Sequence, residues 1–201
     1  MLRELRPAIV LLVVMTVLTG LVYPLAITGV AGILFPHQAG GSLIVKDDKV
    51  IGSELIGQNF ADPKYFHGRP SATTEPDPKD PTKSIATPYA ADNSVGSNLG
   101  PTSKALIDRV TTDTDALKKE NPGASVPVDL VTTSASGLDP DITPAAAAFQ
   151  VPRIAAARGI PADAVQALVN QNTQGRFLGI FGEPRVNVLK LNLALDAAKV
   201  S

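Results

Sequence analysis

Five arginines, Arg69, Arg153, Arg158, Arg176 and Arg185, are the first candidates for chemistry, several of them beside glycine or proline. Converging guanidinium groups bind an anion or clamp a carboxylate in bidentate fashion. Their more ordinary use is to bond loop carbonyls and pair with Asp or Glu. Asp139 and Asp141 resemble a carboxylate pair, although Asp139-Pro140 is also ordinary turn chemistry. His37 and His67 are the only histidines and cysteine is absent, which excludes thiol nucleophiles, disulfides and thiolate metal sites and leaves no clustered ligand spacing for a metal. Gly96 to Lys104 opens a helix as a phosphate loop would. That loop needs lysine directly after its second glycine, whereas here Pro101-Thr102-Ser103 intervene and the Ser-Lys order is reversed, so a turn with an N-cap is expected. Ser134 or Ser136 with His67 makes no triad, and Ser103-Lys104 are neighbours that point apart on a helix. No catalytic or metal site is expected. With 18 basic and 19 acidic residues and a net charge of −1, nothing favours nucleic acid.

The elements that must position these residues follow a charge-free stretch, Ala8 to Phe35. Roughly 20 apolar helical residues cross a bilayer, and this run is longer than the 7–15-residue apolar middle of a cleaved signal. A retained, single-pass transmembrane helix is expected, with Arg3 and Arg6 holding the N-terminus in the cytoplasm and the rest of the chain outside. Pro24 should kink the helix or call for a neighbour. Thr16, Gly20, Pro24, Thr28 and Gly32 recur at spacing four, a stripe on which another membrane helix can pack closely.

Two domains are therefore expected: the membrane helix over 1–36 and one extracytoplasmic mixed α/β (α+β) domain over 37–201. Residues 42–58 predict a β-hairpin turning at Lys46-Asp47-Asp48-Lys49. Asp62 to Gly100, with Pro70, Pro76, Pro78, Pro81 and Pro88, predicts a long surface loop without secondary structure of its own. A helix is expected over 101–120 with Pro101 in its first turn, then a short strand over 126–132 and a tight turn over 134–140. Thr143 should cap a helix that starts at Pro144, bends at Pro152 and closes at Gly159. A third helix begins at Pro161 and buries Val165, Leu168 and Val169. A strand over 186–189 and a helix over 191–199 complete the chain.

Certain stretches also occur in a telling order: Gly52-Ser53-Glu54-Leu55-Ile56-Gly57-Gln58, Phe66-His67-Gly68-Arg69-Pro70-Ser71-Ala72, and Ser97-Asn98-Leu99-Gly100-Pro101-Thr102. Then come Pro127-Val128-Asp129-Leu130-Val131-Thr132-Thr133-Ser134-Ala135-Ser136-Gly137-Leu138-Asp139-Pro140, Gln150-Val151 with Arg153, Ala157-Arg158-Gly159, and Leu178-Gly179-Ile180-Phe181-Gly182-Glu183-Pro184-Arg185-Val186-Asn187-Val188-Leu189. This series resembles the C-subunit family (KdpC) of the bacterial Kdp potassium-transporting ATPases, from the membrane helix to the last helix. Two departures stand out: Thr73 to Asn93 is longer and richer in proline than the family pattern, and Pro152 stands where a non-proline residue is expected.

The resemblance implies a non-catalytic accessory subunit in the bacterial inner membrane. Its partners would be a channel-like potassium-translocating subunit, a P-type ATPase subunit and a small fourth subunit. It would act as an assembly factor and catalytic chaperone that raises the pump subunit's apparent affinity for ATP, with catalysis on the other subunit. ATP is implied for the complex, and no cofactor is expected on this chain. The signature loops mark Gly68, Arg69, Pro70, Ser97, Asn98, Gly100, Ser134, Ser136, Gly137, Asp139, Arg153, Arg158, Glu183, Arg185 and Asn187 as candidate partner or ligand contacts. Two alternatives stay open: direct nucleotide binding by these loops with Arg69 and Arg185, and a membrane-anchored hydrolase dependent on His67 or Ser136.

Overall fold

A computed structural model describes residues 2–198, and the chain divides into two units, 1–51 and 52–201. In the first unit, helix α1 (Leu2–Val17) runs through a π-helical turn (Leu18–Val22) into α2 (Tyr23–Leu34). Together they form a continuous apolar helix, Arg3–Leu34, long enough to cross a membrane and with no part buried. The π-turn answers the expected kink. Pro24 has no N–H to give the Gly20 carbonyl, and the wider turn just before it accommodates that loss. Tyr23 N–H donates to the Leu18 carbonyl, five residues back. A short helix α3 (Pro36–Ala39) leads to strands β1 (Leu43–Lys46) and β2 (Lys49–Ser53), which pair as the expected hairpin. Asp47 and Asp48 both take positive φ, the conformation of a tight two-residue hairpin turn.

The second unit corrects the loop expected between Asp62 and Gly100. Strands β3 (Thr74–Asp77) and β4 (Asp80–Ala86) form an antiparallel hairpin within it. Proline is tolerated there because a two-stranded ribbon leaves many N–H positions unpaired. Pro76 lies opposite Ser84 at an irregularity in the register, and Pro78 sits in the turn that the Asp77 carboxylate closes by accepting from Lys79 N at 2.8 Å. Helix α4 (Lys104–Glu120) starts later than expected, since Pro101 belongs to the preceding turn in which Ser103 N donates to the Gly100 carbonyl at 3.0 Å. Val128–Leu130 is a 3-10 turn, not a strand. The alternation of Val126 to Thr132 is misleading because Pro127 and the buried Asp129 bend the chain toward Thr143, whose N–H donates to Asp129 at 2.8 Å.

The core lies between a small antiparallel sheet and three helices. Strand β7 (Arg185–Asn187) is central, with β5 (Asp141–Ile142) on one side and β6 (Thr173–Gln174) on the other. Val186 faces both Ile142 and Thr173 in register and is completely buried. Helices α5 (Pro144–Arg158), α6 (Ala162–Gln171) and α7 (Val188–Ala197) supply Ile154, Val165, Val169, Leu191 and Leu195, and Phe66 joins the same cluster. Thr143 caps α5 by accepting from Ala146 N at 3.1 Å, and Gly159 ends it at φ 65°. Pro152 occupies the exposed face of α5, which continues through it as one helix. The strand expected over 186–189 is shorter: Asn187 already accepts from Lys190 N at 3.1 Å as the cap of α7, so Val188 and Leu189 are helical.

Candidate functional site

Most of the signature loops converge on one face of the second unit. The turn over 134–140 is held from within: Ser134 Oγ accepts from Gly137 N at 2.9 Å, Ser136 Oγ from Leu138 N at 3.1 Å, and Asp139 from Asp141 N at 3.1 Å. Gly137 has φ 68°, and a Cβ there would lie 2.6 Å from the Val95 carbonyl and 2.7 Å from Thr73, so the position demands glycine twice over. Two segments lean on this turn. Ser71 Oγ donates to the Gly137 carbonyl at 2.7 Å, and Val95 N donates to the Ser136 carbonyl at 3.0 Å. Ser97 meets Thr133 at 3.2 Å, while Asn98, at φ 52°, and Gly100 lie exposed beyond it.

Arg69 closes the arrangement. It pairs with Asp139 at 3.0 Å and donates to the Thr132 and Thr133 carbonyls at 3.4 and 3.3 Å. Arg185 pairs with Asp141 at 3.2 Å, and Glu183 pairs with Arg176 at 2.7 Å. Arg69, Asp139, Asp141, Glu183 and Arg185, with Asp129 and Thr143, line a cavity of about 300 Å³. Burial raises the Asp141 carboxyl above its ordinary value against the opposing pull of Arg185. Asn187 sits beside this group, donating to the Glu54 carbonyl at 2.9 Å and to Asp141 at 3.3 Å.

A second cleft, about 520 Å³, runs between α4 and the 59–71 segment, lined by His67, Tyr89, Asp113, Leu117, Glu120 and Gln150 among others. Tyr89 lies across Gly68, where a Cβ would come 2.3 Å from its hydroxyl. That hydroxyl donates to the Arg69 carbonyl at 2.8 Å, and burial pushes it up to about 12. His67 is held below its ordinary value by burial first and by the Arg153 charge second.

Arg153 and Arg158 do not join the cavity of Arg69 and Arg185. From α5 they fasten the segment ahead of Phe66. Arg153 reaches Glu120 at 2.8 Å, Gln150 at 2.7 Å, the Tyr65 carbonyl at 3.0 Å and the Pro63 carbonyl. Arg158 reaches Asp196 at 2.7 Å and the Lys64 carbonyl at 2.8 Å, and lies over the Tyr65 ring. Two residues outside the expected set matter as much. Buried Gln150 accepts from His67 N at 2.8 Å and donates to the His67 carbonyl at 3.1 Å. Buried Asn192 does the same for Phe66, at 2.8 and 2.9 Å. The trace of them in sequence is a lone amide on an otherwise apolar helical face.

The hydroxyls that a hydrolase would need are engaged in turns, and Lys104 pairs with Asp108 at 2.6 Å. Among the described residues no group of three or more His, Cys, Asp or Glu is placed to hold a metal ion.

The chain thus combines an apolar helix of spanning length with a mixed helix and sheet domain whose signature loops bond to one another. The family described as KdpC, K+-transporting ATPase, c chain, matches residues 5–197. The potassium-transporting ATPase KdpC subunit of Bradyrhizobium diazoefficiens is 72% identical over 198 residues, 98% of both chains. That of Rhodopseudomonas palustris strain BisB5 is 70% identical over 197 residues, again 98% of both, and that of Methylorubrum extorquens is 65% identical over 200 residues, 99% of this chain and 100% of the other. The chain belongs to the KdpC family.

Proposed function

We propose that this chain is the non-catalytic accessory subunit of a high-affinity, ATP-driven potassium uptake complex in the bacterial inner membrane. Its partners are a channel-like potassium-translocating subunit, a P-type ATPase subunit that carries the catalytic residues, and a small fourth subunit. It assembles and stabilises that complex and serves as a catalytic chaperone, raising the pump subunit's apparent affinity for ATP.

The observation that carries this reading is the closure of the signature loops on one another through Arg69–Asp139, Arg185–Asp141 and Ser71–Gly137. Such a surface presents a fixed pattern of shape and charge. It biases a partner's conformations through contacts that differ between them, which is the only way binding shifts an equilibrium. Direct nucleotide binding through Arg69, which is only 26% exposed, would first require its ion pair with Asp139 to open.

Arg3 and Arg6 ahead of the apolar helix favour a cytoplasmic N-terminus, with the domain over 37–201 outside, at the mouth of the channel-like subunit. ATP is then out of its reach, and the effect on ATP affinity is conformational. In the assembled complex, Arg69→Glu should raise the ATP concentration needed for half-maximal hydrolysis about tenfold, a coupling of ~1.4 kcal/mol. An unchanged requirement in an intact complex overturns the chaperone role. Gly123→Cys should be labelled by an impermeant thiol reagent from outside the cell, and labelling only from inside overturns the topology.

A further inference from the structure

The chain between β6 and β7 makes an apolar tip that the proposed function leaves unused. Phe177, Leu178, Ile180 and Phe181 are 70, 74, 73 and 62% exposed on five successive residues, with only Gly179 between them. The other hairpin tip in this unit, Asp77-Pro78-Lys79-Asp80, is what a water-facing turn ordinarily looks like: polar and closed by its own carboxylate.

The backbone of the apolar tip is closed differently. Phe177 N donates to the Phe181 carbonyl at 2.8 Å and Phe181 N to the Phe177 carbonyl at 2.9 Å. Ile180 N donates to the Phe177 carbonyl and Gly179 N to the Arg176 carbonyl, both at 3.1 Å. Four N–H groups are thus satisfied by main chain within the loop. Water would have served a solvent-facing loop as well, but a loop entering hydrocarbon must satisfy these groups internally. Leu178 takes φ 52° to complete the turn, an unfavourable angle for a branched residue, and its side chain remains exposed. At the neck, Arg176 pairs with Glu183 at 2.7 Å, and Arg185, 61% exposed, follows two residues later, a cation of the kind that meets headgroup phosphates.

We infer that this tip inserts into the interfacial layer of the bilayer. An apolar tip that bonds four of its own N–H groups needs no matched pocket, only an apolar phase within reach. Only residues 35–51, folded as α3 and most of the β1–β2 hairpin, lie between the apolar helix and the second unit, so a bilayer that holds the helix lies within reach of the domain. The inference rests on the reading that Arg3–Leu34 remains in the membrane. Docking gives the domain a second membrane attachment and fixes its rotation above the surface.

The chain contains no tryptophan, so Ile180→Trp and, separately, Phe177→Trp each install a single reporter. The full chain is reconstituted alone into vesicles of phosphatidylcholine with one-third phosphatidylglycerol. The expected result is blue-shifted emission and about a twofold loss of intensity when the lipids carry bromine on the upper acyl chain, as insertion by ~5–10 Å requires. Water-like emission from both variants, unquenched while the chain floats with the vesicles, overturns the inference. A blue shift that arises only with the partner subunits, without quenching by brominated lipid, also overturns it and assigns the tip to protein contact. A chain that fails to float overturns the anchored helix itself, and the inference with it.

Discussion

Gln150 and Asn192 each supply for one peptide what a neighbouring strand would supply, an acceptor for its N–H and a donor for its carbonyl. Their replacement therefore costs more than a hydrogen bond. Gln150→Leu keeps the volume but strands the His67 N–H and carbonyl, and at ~1–3 kcal/mol per buried orphan the loss should be about 3 kcal/mol in denaturant unfolding. Gly68→Ala should drive the Tyr89 ring off the Arg69 carbonyl and cost about 2 kcal/mol. Because the hydroxyl is the atom in the way, Tyr89→Phe should recover part of that loss, and a double-mutant cycle measures the coupling. His67 carries a pH dependence of definite sign. Its folded value lies below 6.5, so the unfolded chain binds the extra proton first and stability declines as pH falls through 6.5. Unfolding at pH 7.5 and 5.5 should show this slope, and His67→Gln should flatten it.

At the scale of elements, capping decides much of the domain. Thr143 accepts from Ala146 N while its own N–H and hydroxyl engage buried Asp129. Thr143→Ala should cost about 1–2 kcal/mol, read as a lowered denaturation midpoint. Such features are legible in sequence because they are local: Thr143-Pro144 at the start of α5, Gly159 at its end, and the apolar spacing of Val165, Leu168 and Val169 all read directly. What escaped depends on distant partners. β5 and β6 are two residues each, too short for any periodic pattern, and exist only because β7 passes between them. Val188-Leu189 looks like strand until Asn187 takes the Lys190 N–H. In the same way the loop families Arg69–Asp139 and Ser71–Gly137 were visible as motifs, but their mutual bonding was not.

At the scale of the whole molecule, the apolar helix and the domain serve one assembly. The small-residue stripe is open, with nothing near a Cβ placed at Gly20 or Gly32. Gly20→Leu with Gly32→Leu should weaken co-purification with the partner subunits, and full recovery of the complex would reduce the stripe to composition. The π-turn at Leu18–Val22 has a consequence for that stripe. In an α-helix each residue advances about 100°, so steps of four drift by about 40° and Thr16 to Gly32 would fan across roughly 160°. A π-turn takes up one residue more than an α-turn, which sets the later residues back by about 100° and narrows the fan to about 80°. It works as a vernier, keeping five small residues in phase over four turns of helix. Pro24, which enforces the wider turn, thereby sets the azimuth of residues it never touches.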